Sequence, residues 1–326
     1  MQLISTRGRF LFLTCLAALA VTGSASAKSL DSSLLRTYQP VTVFDPAEQF
    51  RPTNVRAFVA DADLETLANS AWVVTDADPR PRRLPTSGTF RLDQDTCTPS
   101  AAIGGLSCFA AAAADSNGRN TVYGRVARLD DAIVLQYWYF YYDDVYSYQY
   151  PASDLIWQAH EGDWEVVTVV LGGRKQPVQV GYSQHCGGQT RSWDATTRIG
   201  DTHPVVYVAV GSHANYFSPG VHPLDLRCVP PPAVALLQQR GLPMPVDYAG
   251  VGTVAGPSEA GGETTRIKQL RDERPAWLAF PGTWGELQYF HSPFTGTVPF
   301  GTSPVGPAFH AVWSDPLGTL ASYPAG

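Results

Sequence analysis

Three carboxylates and an imidazole, Asp143, His160, Asp163 and Glu165, stand beside stretches that are otherwise aromatic or β-branched. The run Val166-Val167-Thr168-Val169-Val170-Leu171 reads as a buried strand. If that strand starts near Asp163, then Asp163 and Glu165 face the same side, with α-carbons roughly 6–7 Å apart. Carboxylates that close repel unless a cation or a proton lies between them. His160 approaches across the Glu161-Gly162 bend, and Asp143 ends the aromatic strand 133–142. If that strand pairs with 163–171 as a hairpin, the four groups converge on one strand end. Such a set suits a hard divalent cation, calcium or magnesium. A second reading stays open from spacing alone. Buried acids need partners, and Arg125, Arg128 or backbone amides could supply them.

Ser212-His213 invites a hydrolase reading, but no G-x-S-x-G elbow occurs anywhere in the chain. Neighbours on an extended segment also face opposite sides. His213, Ser212 and Glu161 are therefore read as lining the acidic site. The competing reading of His213 is a polar residue at a strand-end turn.

The elements that must position these groups are mostly strands. Residues 121–128 alternate, 133–142 are apolar or aromatic at nearly every position, and 177–182 and 204–210 are further strand candidates. Residues 144–159 read as a long aromatic loop, and 284–290 and 309–313 as late strands. Short helices are expected at 61–70, 233–239 and 263–274. The sum predicts an all-β fold with minor short helices, an antiparallel β-sandwich, jelly-roll-like, with core strands about 121–217 and 284–313 in one domain over 28–326.

Residues 1–27 have the form of a secretory signal. Arg7 and Arg9 precede an apolar stretch, and Ala25-Ser26-Ala27 is a small-residue cleavage pattern. The apolar stretch is short for a spanning helix, though a retained anchor is the alternative. No later stretch is long and apolar enough to span a membrane. Cleavage would take the basic count from 23 to 21 against 29 acids, a net charge of −8. A mildly acidic, exported chain argues against nucleic acid as a partner. It would keep Cys97, Cys108, Cys186 and Cys228, for which the pairings Cys97–Cys108 and Cys186–Cys228 are preferred. Free thiols or a zinc site are the rival readings, and no C-x-x-C pair supports zinc.

Trp138-Tyr139-Phe140 with Asp143, then His160-x-x-Asp163-Trp164-Glu165, resembles the necrosis- and ethylene-inducing peptide-like proteins over the central third of the chain. The resemblance implies a secreted β-sandwich that binds a divalent cation through Asp143, His160, Asp163 and Glu165 and recognises the sugar of a membrane lipid head group. Tyr141-Tyr142 and Glu161-Gly162 depart from that family's pattern, and its second histidine is absent. A broader similarity is to the vacuolar protein sorting-associated sixty-two family. It rests on Pro40-Val41, Glu48-Gln49-Phe50-Arg51-Pro52, His160 to Glu165, Val206-Tyr207-Val208-Ala209, Gly211-Ser212-His213-Ala214, Gly282-Thr283-Trp284-Gly285 and Ser303 to Pro307. That family's name fixes no biochemical activity. The expectation is a secreted, cation-binding protein that recognises a cell-surface glycan or lipid head group. The alternative is a secreted metal-dependent hydrolase using metal-activated water.

Overall fold

The computed structural model describes residues 29–94, 119–152, 156–229, 231–271, 275–292 and 296–326. The proposed signal segment 1–27 and the Cys97–Cys108 pair lie outside the described residues.

Nine strands lead up to and frame the central hairpin: β1 (Val41–Phe44), β2 (Ala62–Ala68), β3 (Ala71–Asp76), β4 (Phe90–Gln94), β5 (Thr121–Arg128), β6 (Ile133–Ser147), β7 (Ile156–Leu171), β8 (Pro177–Gln184) and β9 (Gly187–Ser192). β6 and β7 form an antiparallel ladder from Ile133↔Leu171 to Ser147↔Ile156. β5 covers the free edge of β6. The second edge of β7 is shared. β8 pairs with Val167–Leu171, and the strand Leu287–Ser292 pairs with Gln158 and Ala159. Between them, residues 160–166 take ladder partners from β6 alone. The polar residues of β7 thus sit where the sheet is open on one edge.

Tyr137 to Tyr142 are all buried, as expected of a strand covered on both faces. Phe140 and Trp164 face each other across the ladder and pack at 4.7 Å between ring centroids, with Trp277 stacked on Trp164 at 5.7 Å. One core cluster draws on Phe44 of β1, Leu64 of β2, Leu92 of β4, Trp138 and Val167 of the hairpin, and Val206 and Val208.

The strand pairing is mixed, which corrects the expectation of a purely antiparallel architecture. β1 runs parallel to His203–Val208, Arg266–Gln269 runs parallel to β5, and Thr283–Trp284 runs parallel to β4. Parallel pairing has a consequence for the site. The C-terminal ends of β1 and His203–Val208 emerge at the same edge, and each continues into a turn bearing a buried polar residue, Glu48 and His213.

Several local expectations are also corrected. Segment 61–70 is not a helix. Asn69 and Ser70 adopt φ +50 and +65, a tight hairpin turn that makes β2 and β3 instead. Segment 263–274 carries the short strands Glu263–Thr264 and Arg266–Gln269. Segment 309–313 is not a strand. It is part of a helical run, with Ala311–Ser314 followed by Pro316–Ser322, the latter begun by Asp315 accepting from the Gly318 amide at 2.9 Å. The helix Pro231–Gln239 agrees with expectation. The loop expected over 144–159 is strand at both ends, because β6 runs on to Ser147 and β7 begins at Ile156.

Candidate metal centre

Asp144 and His160 are cross-strand partners, as are Tyr141 and Asp163. Strict alternation would put these two rungs on opposite faces. The ladder skips the rung between them, where Gly162 adopts φ +55. A side chain is excluded there, since a Cβ would fall 2.3 Å from the carbonyl oxygen of Trp284. Across this kink the faces exchange. Asp144, His160 and Asp163 come together, each offering a ligand atom within 4.8 Å of the others. Glu161, between them in sequence, goes to the other side and joins Asp93 and Glu286.

The trio has the donor arrangement of a cation site. His160 Nδ1 lies 2.8 Å from the Gly162 carbonyl and 3.2 Å from that of Glu161. A carbonyl only accepts, so Nδ1 carries the hydrogen and Nε2 is turned inward. Nε2 lies 3.3 Å from Asp144 Oδ2. An imidazole locked through Nδ1 to backbone oxygen is the usual state of a metal-binding histidine. The second oxygen of Asp144 is buried without a partner. Burial disfavours a charge on His160, but Asp144 and Asp163 outweigh it and raise its pKa to about 9. The site therefore favours a positive charge, which a proton or a cation can supply.

A further layer holds Asp163. Its Oδ2 accepts from His213 Nδ1 at 3.0 Å, and His213 Nε2 lies 3.6 Å from Glu48 Oε1. His213 is wholly buried, has φ +54, and stacks flat on Tyr141 at 3.8 Å. Burial opposes its protonation, yet Glu48 and Asp163 raise its pKa to about 10. Burial likewise pushes Glu48 up, but His213 and the amides of Gly211 and Phe50, each 2.7 Å away, bring it below its ordinary value. Gly211 at φ +77 lets this loop close onto β6, where its carbonyl accepts from the Val145 amide at 3.0 Å.

The other residues named from the sequence are distributed around this centre. Asp143 is fully buried one position from Asp144, outside the trio, with neither carboxylate oxygen hydrogen-bonded. Glu165 is turned to Ser183 and Asn215, and burial together with Asp163 raises its pKa well above the usual range. Ser212 donates to Asp247 at 2.7 Å, and Asp247 also meets His185 and Tyr216 at 2.7 and 2.5 Å. Arg128 pairs with Asp31, while Arg125 donates to Gln136 and to the Trp313 carbonyl. Asp144, Glu48, Asp247 and His185 are the residues that sequence reasoning did not place. The Asp143-Asp144 doublet was a signal for the first. Nothing in the spacing linked Glu48 or Asp247 to this region. The disulfide Cys186–Cys228 is formed, as expected, with α-carbons 5.4 Å apart, and it sits next to His185.

No protein-family model and no curated protein matches the chain, so neither supports the vacuolar protein sorting-associated relationship. Among solved structures it is similar to proteins of the necrosis- and ethylene-inducing type, at low identity. A structure titled NLPPya in complex with mannosamine shares 13% identity over 89% of this chain and 90% of that chain, with a TM-score of 0.43. The corresponding glucosamine complex gives 12%, 89% of each chain and 0.40. Necrosis and Ethylene inducing Protein 2 from the causal agent of cocoa's Witches Broom disease gives 13%, 72% of each chain and 0.33. Superpositions of this quality do not establish a shared fold.

Proposed function

We propose that the chain is a secreted, divalent-cation-dependent binding protein that recognises the sugar of a cell-surface glycan or lipid head group. The observation that carries this reading is the orientation of His160, with Nδ1 against two backbone carbonyls and Nε2 turned toward Asp144 beside Asp163. Asp144, His160 and Asp163 would hold the ion, with His213 and Glu48 orienting Asp163 behind it. Asp143 and Glu165 complete the acidic surroundings. When bound, the ion would offer a hard positive centre to hydroxyl oxygens of a sugar. Mixed oxygen and imidazole donors widen the choice from calcium and magnesium to manganese.

Two features support the sugar side of the reading. The trio is nearly buried but reaches the surface, with side chains 6–11% exposed. Just past Asp144, β6 leads to the half-buried Tyr148 and Tyr150, and Tyr150 packs against Tyr248 at 5.5 Å. Aromatic faces suit the apolar faces of sugar rings, and the motif resemblance points the same way. The core shared by the larger sheets supports reading them as the layers of a β-sandwich. The disulfide supports export, since such bridges persist in oxidising compartments. No helix among the described residues is long and apolar enough to cross a membrane.

The hydrolase alternative, in which an acid or His213 would move the proton, has less support, because His213 is wholly buried between two carboxylates. Glycan and lipid arrays probed with and without chelator test the proposal. Sugar-dependent binding that disappears with chelator, and in Asp163→Asn, is expected. Binding indifferent to both overturns it.

A further inference from the structure

Across the hairpin from the trio, Glu161 meets Asp93, near the end of β4, and Glu286, just past Thr283–Trp284. One carboxylate oxygen from each lies within 4.8 Å of the other two. Like charges at that distance need compensation. Arg91 supplies part of it, at 2.5 Å from Glu65, 2.6 Å from Asp93 and 3.7 Å from Glu286. Among the described residues no ion pair reaches Glu161.

Glu161 is wholly buried. Its Oε2 accepts the Gln94 amide at 3.1 Å, and its Oε1 has no partner. Glu286 Oε1 and the side-chain oxygen of the buried Gln94 are equally without partners. Directly across the ladder, buried Asp143 has both oxygens unbonded. Buried carboxylate and amide oxygens rarely stay unpaired in proteins. The backbone is shaped to bring them together. Gly285 adopts φ +135, and a Cβ there would lie 2.6 Å from the Cβ of Glu161. Only glycine lets the chain carrying Glu286 close onto Glu161.

Arg91 cannot be the whole answer. It donates to one oxygen of Asp93 and stands 3.7 Å from one oxygen of Glu286, while the unpartnered oxygens of Glu161 and Glu286 remain. We propose that Asp93, Glu161 and Glu286 hold a second divalent cation, of the calcium type, on the face of the hairpin opposite the trio. The donors are all oxygen and include no imidazole, which selects a hard ion with many ligands over zinc or copper. Gln94, whose backbone amide donates to Glu161, also carries an unpartnered side-chain oxygen. Asp93 and Glu286, 17% and 13% exposed, leave a path for the ion and its waters. An ion there would tie together three distant stretches of chain, β4, β7 and the segment after Trp284.

The test is calcium titration calorimetry on the mature chain carrying His160→Ala, which disables the trio. One calcium per chain is expected to bind. Adding Glu161→Gln or Glu286→Gln should weaken that binding by about tenfold or more. Glu286→Gln carries the comparison if the buried Glu161→Gln does not fold. Absence of calcium binding to His160→Ala, or unchanged binding in the glutamine variants, overturns the proposal. Either result leaves the reading of the trio untouched.

Discussion

His160 and Glu161 are neighbours in sequence yet serve two acidic groups on opposite sides of one hairpin. On the His160 side, the protein itself orients the donors. Two backbone carbonyls fix the imidazole, and His213 with Glu48 fixes Asp163. On the Glu161 side, no imidazole takes part and a single guanidinium stands against an excess of carboxylates. Both groups are acidic and largely buried, so charge does not separate them. Orientation does. The first group can select an ion by geometry, whereas the second offers only oxygen and negative charge.

The comparison depends on Gly162, and the largest expected effect comes from removing it. Gly162→Ala puts a Cβ against the Trp284 carbonyl at a left-handed φ. It should destabilise the fold by about 4 kcal/mol or more and disturb both groups together, because the kink carries Asp163 across to the side of His160 and leaves Glu161 on the other. Urea unfolding measures the loss. A variant as stable as wild type would mean that the exchange of faces does not need the kink.

The disulfide sharpens the contrast by acting on one side. Cys186–Cys228 closes a loop of 42 residues that includes Ser212 and His213, and Asp93 and Glu286 lie outside it. Replacing both cysteines with serine should cost about 2–4 kcal/mol. It should also weaken ion binding at the trio more than at Glu161. Equal weakening at both would show that the bridge acts on global stability alone.

A smaller effect separates the regions by pH. Burial opposes a charge on His185, but Asp247, helped by Asp144 and Glu165, raises its pKa to about 9, and the same contact lowers Asp247. A histidine raised in the folded state adds stability that is complete below its unfolded pKa of about 6.5. That stability fades as pH climbs through about 9. The change should be on the order of 2 kcal/mol, counted once for the pair. Asp247→Asn should make the stability profile less steep over this window, leaving the slope from His160 and His213, without altering calcium binding at Glu161. An unchanged slope in the variant would place the dependence elsewhere.

The hairpin was legible in the sequence because a strand buried on both faces leaves an unbroken apolar run, and Ile133–Tyr142 and Val166–Leu171 are such runs. His160 and Asp163 were legible as polar interruptions of it. Asp144 was not, because two-residue alternation favours Asp143, and only the left-handed Gly162 reverses the faces. Glu48 was hidden for another reason. It reaches His213 through the parallel pairing of β1 with His203–Val208, a contact across some hundred and sixty residues that no local pattern records. Segment 61–70 misled because Leu64 and Leu67 have helical spacing. In the structure Leu64 is buried on β2, while Leu67 is 47% exposed beside the Asn69-Ser70 turn.

The central claim is that Asp144, His160 and Asp163 seat a cation. Anomalous diffraction from crystals of the protein soaked in manganese tests it most directly. The account predicts a peak about 2.0–2.3 Å from His160 Nε2 and from oxygens of Asp144 and Asp163, absent in Asp163→Asn. No peak at the trio, with His160 Nε2 about 3.3 Å from Asp144 Oδ2, would contradict it.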